Sequence, residues 1–253
     1  MNHQEWAKSL HHCLRTQTPR AQFSTTEQYS LEDAYAIQSA LIAERVAEGH
    51  EIVGVKMGFT SVAKMKQMGV DDMIIGQLTS DMKISTERPL QRSQCIHPRA
   101  EPEIAFRLSQ DVEGALSVDE IVNYVDGVAA AVEVIDSRYE NFKFSLEDVV
   151  ADNCSSCGYA VGPWCEVPLG LNGLDMVQFF DGAIIAKGNS DAILDSPFEA
   201  LAAATRLAKQ YGIALKKGMI VFAGASTAAH FIEEHSKVVV KVDGLGEAAF
   251  AVV

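Results

Sequence analysis

Val125-Asp126-Gly127-Val128-Ala129-Ala130-Ala131-Val132-Glu133-Val134-Ile135 is almost wholly apolar beyond Asp126, with one acid embedded in it. A run of this length, without polar alternation, reads as a strand buried on both faces. A carboxylate in such a strand must be protonated, paired or metal-bound, because an isolated buried charge costs several kcal/mol or more. Two readings of Glu133 follow from this segment: an ion pair, most simply with Lys56 or Arg138, or a metal ligand.

Upstream, Glu101-Pro102-Glu103 opens a second apolar run, Ile104-Ala105-Phe106, in a strand expected over Glu101 to Leu108. Acids two residues apart point the same way on a strand, with Cβ atoms about 7 Å apart, close enough for both to reach one cation. A solvated strand edge would carry the same pair. If Glu101, Glu103 and Glu133 meet, with no Cys or His beside them, they make a hard all-oxygen site suited to Mg²⁺ or Mn²⁺. Lys56 lies in Gly54-Val55-Lys56-Met57-Gly58 at the end of a strand expected over Glu51 to Met57. A half-buried lysine there needs an anion, either a site carboxylate or a substrate; a lysine snorkelling to solvent is the other reading.

Further strands are expected at Ser156 to Val161, Val177 to Ala186, Met219 to Ala223, Lys237 to Val242 and Glu247 to Val253. Helices are fewer. Ser30 caps an amphipathic segment running to about Glu48, Ser61 to Met68 reads as a short helix closed by Gly69, and Ser196 to Tyr211 ends at Gly212. Many strands and few helices imply an α+β fold; a doubly wound sheet would need helices alternating regularly with strands. With no linker or repeat, residues 1–253 read as one domain, a helical segment over 1–50 preceding a β-rich core over 51–253.

The 253 residues carry 21 Lys+Arg against 34 Asp+Glu, a formal net charge of −13, with no basic cluster. Nucleic acid and anionic membrane surfaces are therefore poor partners. An anionic substrate would have to be held locally, by a metal ion or a few placed cations. The first residues lack the apolar core of a signal peptide, and no run approaches the roughly 18 apolar residues of a membrane span, so a cytoplasmic protein is expected. The 5 Cys fit reduced thiols. Cys154-x-x-Cys157 lacks the second pair that zinc would want. The loop Asp152 to Gly158 offers small hydrogen-bonding groups of the kind that line pockets, and His97 reads as a structural loop residue near the acidic pair. No Gly-rich phosphate loop and no G-x-S-x-G elbow is present.

Four segments together resemble the fumarylacetoacetate hydrolase superfamily, in the branch of 4-oxalocrotonate decarboxylases and 2-hydroxypenta-2,4-dienoate hydratases. They are Gly54-Val55-Lys56-Met57-Gly58-Phe59-Thr60-Ser61, Pro98-Arg99-Ala100-Glu101-Pro102-Glu103, Glu133-Val134-Ile135-Asp136-Ser137-Arg138 and Gly224-Ala225-Ser226-Thr227-Ala228. The resemblance implies a mixed β-rich roll and Mg²⁺ held by Glu101, Glu103 and Glu133. It also implies a small anionic 2-oxo acid substrate chelated through its carboxylate and 2-oxo oxygens. Met57, Phe59, the segment Lys64 to Asp72 and Ser196 to Tyr211 look more like the decarboxylases, so decarboxylation of 2-oxohex-3-enedioate is expected, with the hydratase as the alternative. Lys56 is expected to orient substrate or move a proton, its neutral amine favoured beside a divalent ion. Asn153 and Ser155 are expected to donate to the substrate carboxylate. The branch also implies a homo-oligomer and association with the pathway hydratase.

Overall fold

The computed structural model describes residues 2–61, 65–66, 69–70, 72–233 and 237–253. The helix expected over Ser61 to Met68 falls largely outside the described residues. The helical preface is α1 (His3–Thr16) and α2 (Leu31–Ala47). Ser30 and Asp33 close a reciprocal capping box at the start of α2, which fixes where that helix begins. Short helices α3 (Val118–Ile121) and α4 (Leu146–Ala151) follow, and α5 (Pro197–Tyr211) stops at Gly212 in the left-handed conformation.

The strands are β1 (Ile52–Gly58), β2 (Ile74–Thr79), β3 (Arg99–Leu108), β4 (Val125–Ile135), β5 (Ser156–Val161), β6 (Asp175–Phe180), β7 (Ala183–Asn189), β8 (Ile220–Phe222), β9 (His230–Phe231), β10 (Lys237–Val242) and β11 (Gly246–Ala251). One sheet has the order β2-β1-β8-β3-β4-β5, with β9 added to the end of β3; the other runs β11-β10-β6-β7. The first is mixed: β1 and β8 are parallel, and its other pairs are antiparallel. The long strand expected over Val177 to Ala186 is a hairpin. Asp181 and Gly182 both take positive φ, 49° and 83°, which turns the chain back in two residues.

The larger sheet curls until its ends meet, since the Ile84 N–H just beyond β2 donates to the Tyr159 carbonyl on β5 at 2.9 Å. Alternation along the strands then sorts side chains into an outside and an inside. Outward, Val128, Ala130, Val132 and Val134 of β4 join Ile104, Phe106 and Leu108 of β3 in the main core, with β10 and β11 laid across β4. Inward, Leu78, Met82, Ala105, Ala131, Tyr159 and Phe222 fill a smaller cluster. Both faces of β4 are thus buried, as its composition requires, and Glu133 is on the inner one. α5 packs over β1, β2 and β8, while the buried Gln38 amide of α2 donates to the carbonyls of Ile75 on β2 and Val150 in α4 at 3.1 and 3.0 Å.

Candidate active site

Glu101 and Glu133 are direct cross-strand partners in the antiparallel β3–β4 ladder, and Glu103 follows two residues on, opposite Ala131. This register brings the three acids to one point of the roll's inner face. Each offers a carboxylate oxygen lying within 4.8 Å of the others, and Glu103 and Glu133 are wholly buried. The Gly224 N–H donates to Glu103 Oε2 at 2.8 Å, while Glu103 Oε1 has no hydrogen-bond partner. Gly224 is required there: its φ is 106°, and a Cβ would lie 1.9 Å from Thr60 Oγ1. The Ser156 hydroxyl donates to Glu133 Oε1 at 3.3 Å.

Lys56 comes from β1, where Val55 and Met57 face the main core and the lysine turns inward. Its Nζ is 2.9 Å from Glu133 Oε2 and donates to the Cys154 carbonyl at 3.2 Å. Of the two ion-pair partners open to Glu133, the structure selects Lys56. Arg138 is taken by Asp152, to whose carboxylate its Nε donates, and its Nη1 donates to the carbonyls of Asp136 and Ser156 at 2.7 and 3.0 Å.

Burial, with Glu133 close by, pushes the Glu103 carboxyl well above the ordinary carboxylate range. Burial also raises Glu133, against the pull of Lys56. For Lys56 burial works downward, but Glu133, followed by Cys154, Glu101 and Glu103, more than offsets it and holds the ammonium charged. The neutral amine expected from the sequence is therefore not the form the acids themselves favour. A cluster of three buried acids, in which Glu103 and Glu133 are pushed upward and Glu103 Oε1 is unpartnered, is a hard-oxygen donor set that fits a divalent cation.

Through Glu101 the cluster adjoins a cavity of about 230 Å³ whose wall also includes Lys56, Phe142, Phe144, Ser155 and Arg99. Asn153, Cys154 and Ser155 form a turn with three successive left-handed residues at φ 49°, 53° and 58°. Such a turn costs of order 1–3 kcal/mol per residue and persists only where its surroundings impose it. Two grips do so here: Arg138 on Asp152, and the Asn153 amide, whose Nδ2 donates to the Gln77 carbonyl while its Oδ1 accepts from the Gln77 N–H, both at 2.8 Å. Asn153, expected as a substrate donor, is thus spent at both ends on β2 and positions the turn instead. Ser155 does reach the cavity, and its buried hydroxyl has no partner.

The other expectations sort in the same way. His97 packs its ring on Phe142 at 5.1 Å, and its backbone N–H, with that of Ile96, donates to Asp136, a structural arrangement. Cys157 does not pair with Cys154; its Sγ lies 4.0 Å from that of Cys95, and all five cysteines are free. Gly224 and Arg99 were assigned no role from the sequence, although both lie in the quoted segments. Their contributions, one backbone N–H and one long flexible side chain, leave no spacing signature.

With this geometry in view, comparison with known proteins is decisive: the model of the fumarylacetoacetate (FAA) hydrolase C-terminal family matches residues 52–253. The chain belongs to the fumarylacetoacetate hydrolase family. Within the family it is 46% identical over 230 residues to a 4-oxalocrotonate decarboxylase of a Pseudomonas species, covering 91% of this chain and 90% of that one. It is 32% identical over 229 residues to a 2-keto-4-pentenoate hydratase of Paraburkholderia xenovorans, covering 88% and 84%. A solved fumarylacetoacetate hydrolase family structure, 4-oxalocrotonate decarboxylase from Pseudomonas putida complexed with magnesium and adipate, superposes with a TM-score of 0.93 at 29% identity, covering 99% of this chain and 97% of that one. The roll with its helical preface is thus the family's fold. No helix among the described residues is long and apolar enough to cross a membrane.

Proposed function

We propose that the protein is a Mg²⁺-dependent carbon–carbon lyase that converts 2-oxohex-3-enedioate (4-oxalocrotonate) to 2-hydroxypenta-2,4-dienoate and CO₂. The observation that carries this reading is the convergence of Glu101, Glu103 and Glu133 with Lys56, a cluster of which Glu101 and Lys56 line one cavity. The 46% identity to a 4-oxalocrotonate decarboxylase supports it over the hydratase relatives at 32%.

In this reading Glu101, Glu103 and Glu133 hold the ion; Mn²⁺ suits the same oxygens. When bound, Mg²⁺ supplies Lewis acidity to the 2-oxo acid, making its carbonyl the sink for the electron pair of the breaking bond. That bond is C5–C6. Its pair forms C4=C5, the C3=C4 pair moves to C2=C3, and the C2=O pair goes to oxygen, which takes one proton. Lys56, held as an ammonium beside Glu133, is the proton-bearing group of the cavity and is assigned that transfer or the alignment of the oxygen. Ser155, with a buried and unpartnered hydroxyl, donates to the substrate carboxylate. Phe142 and Phe144 give the wall an apolar face beside the carbon chain of the substrate. A cytoplasmic homo-oligomer, associated with the pathway hydratase, completes the reading, and light scattering of the protein alone and mixed with that hydratase tests it.

The deciding experiment gives the purified protein 2-oxohex-3-enedioate and, separately, 2-hydroxypenta-2,4-dienoate, each with Mg²⁺ and then with EDTA. CO₂ release from the first that EDTA abolishes is the expected result. Hydration of the second alone, giving 4-hydroxy-2-oxopentanoate, would replace the decarboxylase with the hydratase.

A further inference from the structure

Among the described residues two cations line the cavity, and the structure treats them differently. Lys56 is matched by Glu133. Arg99 forms no ion pair with any carboxylate of the described residues, and its Nε is buried without a hydrogen-bond partner. The guanidinium is held instead by aromatic rings, with its central carbon 4.1 Å from the centroid of Phe142 and 5.4 Å from that of Phe231. An arginine stacked in this way is oriented by its flat face while its edge donors stay available, the arrangement that grips a carboxylate with two parallel hydrogen bonds. A half-buried guanidinium without an anion is an incomplete site.

Its placement indicates what completes it. Arg99, Glu101 and Glu103 alternate along the inner face of β3, so the Arg99 Cβ stands about 7 Å from that of Glu101 and about 13 Å from that of Glu103, toward the rim. Three backbone bonds of an extended chain span about 3.6 Å, so the five carbon–carbon bonds of a six-carbon diacid span about 6 Å. A ligand with one end at the acids therefore ends within the reach of the Arg99 side chain. Charge agrees with distance: three carboxylates, a divalent ion and Lys56 cancel, which among the described residues of the cavity wall leaves Arg99 as the cation for a second carboxylate.

We propose that Arg99 is the specificity-determining residue for the distal carboxylate, selecting 2-oxo dicarboxylates over 2-oxo monocarboxylates. This rests on the function proposed above and narrows its substrate class. Because the pair forms in the bound substrate and weakens as that carboxylate gives up its charge to leave as CO₂, its loss should raise KM without lowering kcat.

The test uses two unreactive ligands with the same 2-oxo acid head, 2-oxoadipate and 2-oxohexanoate, titrated calorimetrically into the Mg²⁺-loaded protein. The wild type should prefer the diacid by about tenfold or more, the scale of a charge-assisted hydrogen bond. Arg99→Gln should bring the ratio to within about threefold while leaving 2-oxohexanoate binding unchanged, which also shows that the variant is folded. Arg99→Lys should keep an intermediate preference. On 2-oxohex-3-enedioate, Arg99→Gln should raise KM about tenfold or more with kcat unchanged or higher. A wild type indifferent to the distal carboxylate, or an Arg99→Gln variant that keeps the preference or weakens both ligands equally, would overturn the assignment. Discrimination by Arg99 without any CO₂ release would defeat the decarboxylase reading alone, whereas CO₂ release with unchanged KM in Arg99→Gln would defeat only the role of Arg99.

Discussion

Replacing Glu133 by Gln keeps the side-chain volume and removes one negative charge from the wholly buried cluster, 2.9 Å from Lys56 Nζ. No cavity opens, so the effect is electrostatic. Two terms of opposite sign act on the metal-free protein: Lys56 loses its nearest acid, while the repulsion that pushes Glu103 upward is relieved. The decisive quantity is therefore the response to Mg²⁺. A cation at 100 times its dissociation constant stabilises a folded protein by about 2.7 kcal/mol, which for a chain of this length is about 5–11 °C in Tm. Outer hydrogen-bonding partners of metal ligands are worth about 10–100-fold in affinity, so losing a charged ligand should cost at least about 100-fold. At the same Mg²⁺ concentration the variant then sits near its own dissociation constant, where stabilisation is about 0.4 kcal/mol, close to 1 °C. Thermal unfolding with and without Mg²⁺, together with calorimetric titration and circular dichroism, reads this directly. A folded Glu133→Gln protein with wild-type Mg²⁺ affinity would refute the ligand assignment.

Three other outcomes follow from the same geometry. Gly224→Ala places a Cβ 1.9 Å from Thr60 Oγ1 at a φ of 106°, so Thr60 or the Gly224 loop must shift and Glu103 loses a well-aligned donor; Mg²⁺ affinity should fall at least about tenfold, and an unchanged titration would count against that N–H as a support. Asp152→Asn leaves Arg138 buried without its carboxylate, and breaking such a pair costs about 3–5 kcal/mol, so chemical denaturation should show a loss of that size and a wild-type midpoint would contradict it. Burial raises the Asp81 carboxyl, but Arg45, Thr79 and His50 overrule it and hold it below its usual value. Its contribution is thus complete above the unfolded value of 3.8 and is lost as pH falls through the depressed one. Asp81→Asn should therefore flatten the decline of unfolding free energy below about pH 4, and parallel curves would argue against the coupling.

Local periodicity carried most of the strand and helix assignments, because the outward faces of β3 and β4 must be apolar wherever the sheet is covered. Val125–Ile135 shows this best: its near-continuous apolar run already required burial on both faces, and an acid within it already required a partner or an ion. The α2 cap was legible because Ser30 and Asp33 interact across a single turn. The Asp181-Gly182 turn lies in the sequence as plainly, yet the flanking apolar residues made it read as one strand; positive φ at two successive positions outweighed strand propensity.

What the sequence alone determined was the chemistry open to these residues: three acids on two apolar strands, without Cys or His among them, offer only oxygen donors if they meet. Tertiary structure decided the choices among equals. Cross-strand register put Glu101 opposite Glu133, and the curl of the sheet brought Lys56 rather than Arg138 to that acid. The left-handed turn at residues 153–155 spent Asn153 on β2 and left Ser155 facing the cavity. Those outcomes depend on which strand closes against which, and the energy that selects them comes from contacts between residues far apart in the chain, to which a linear pattern is blind.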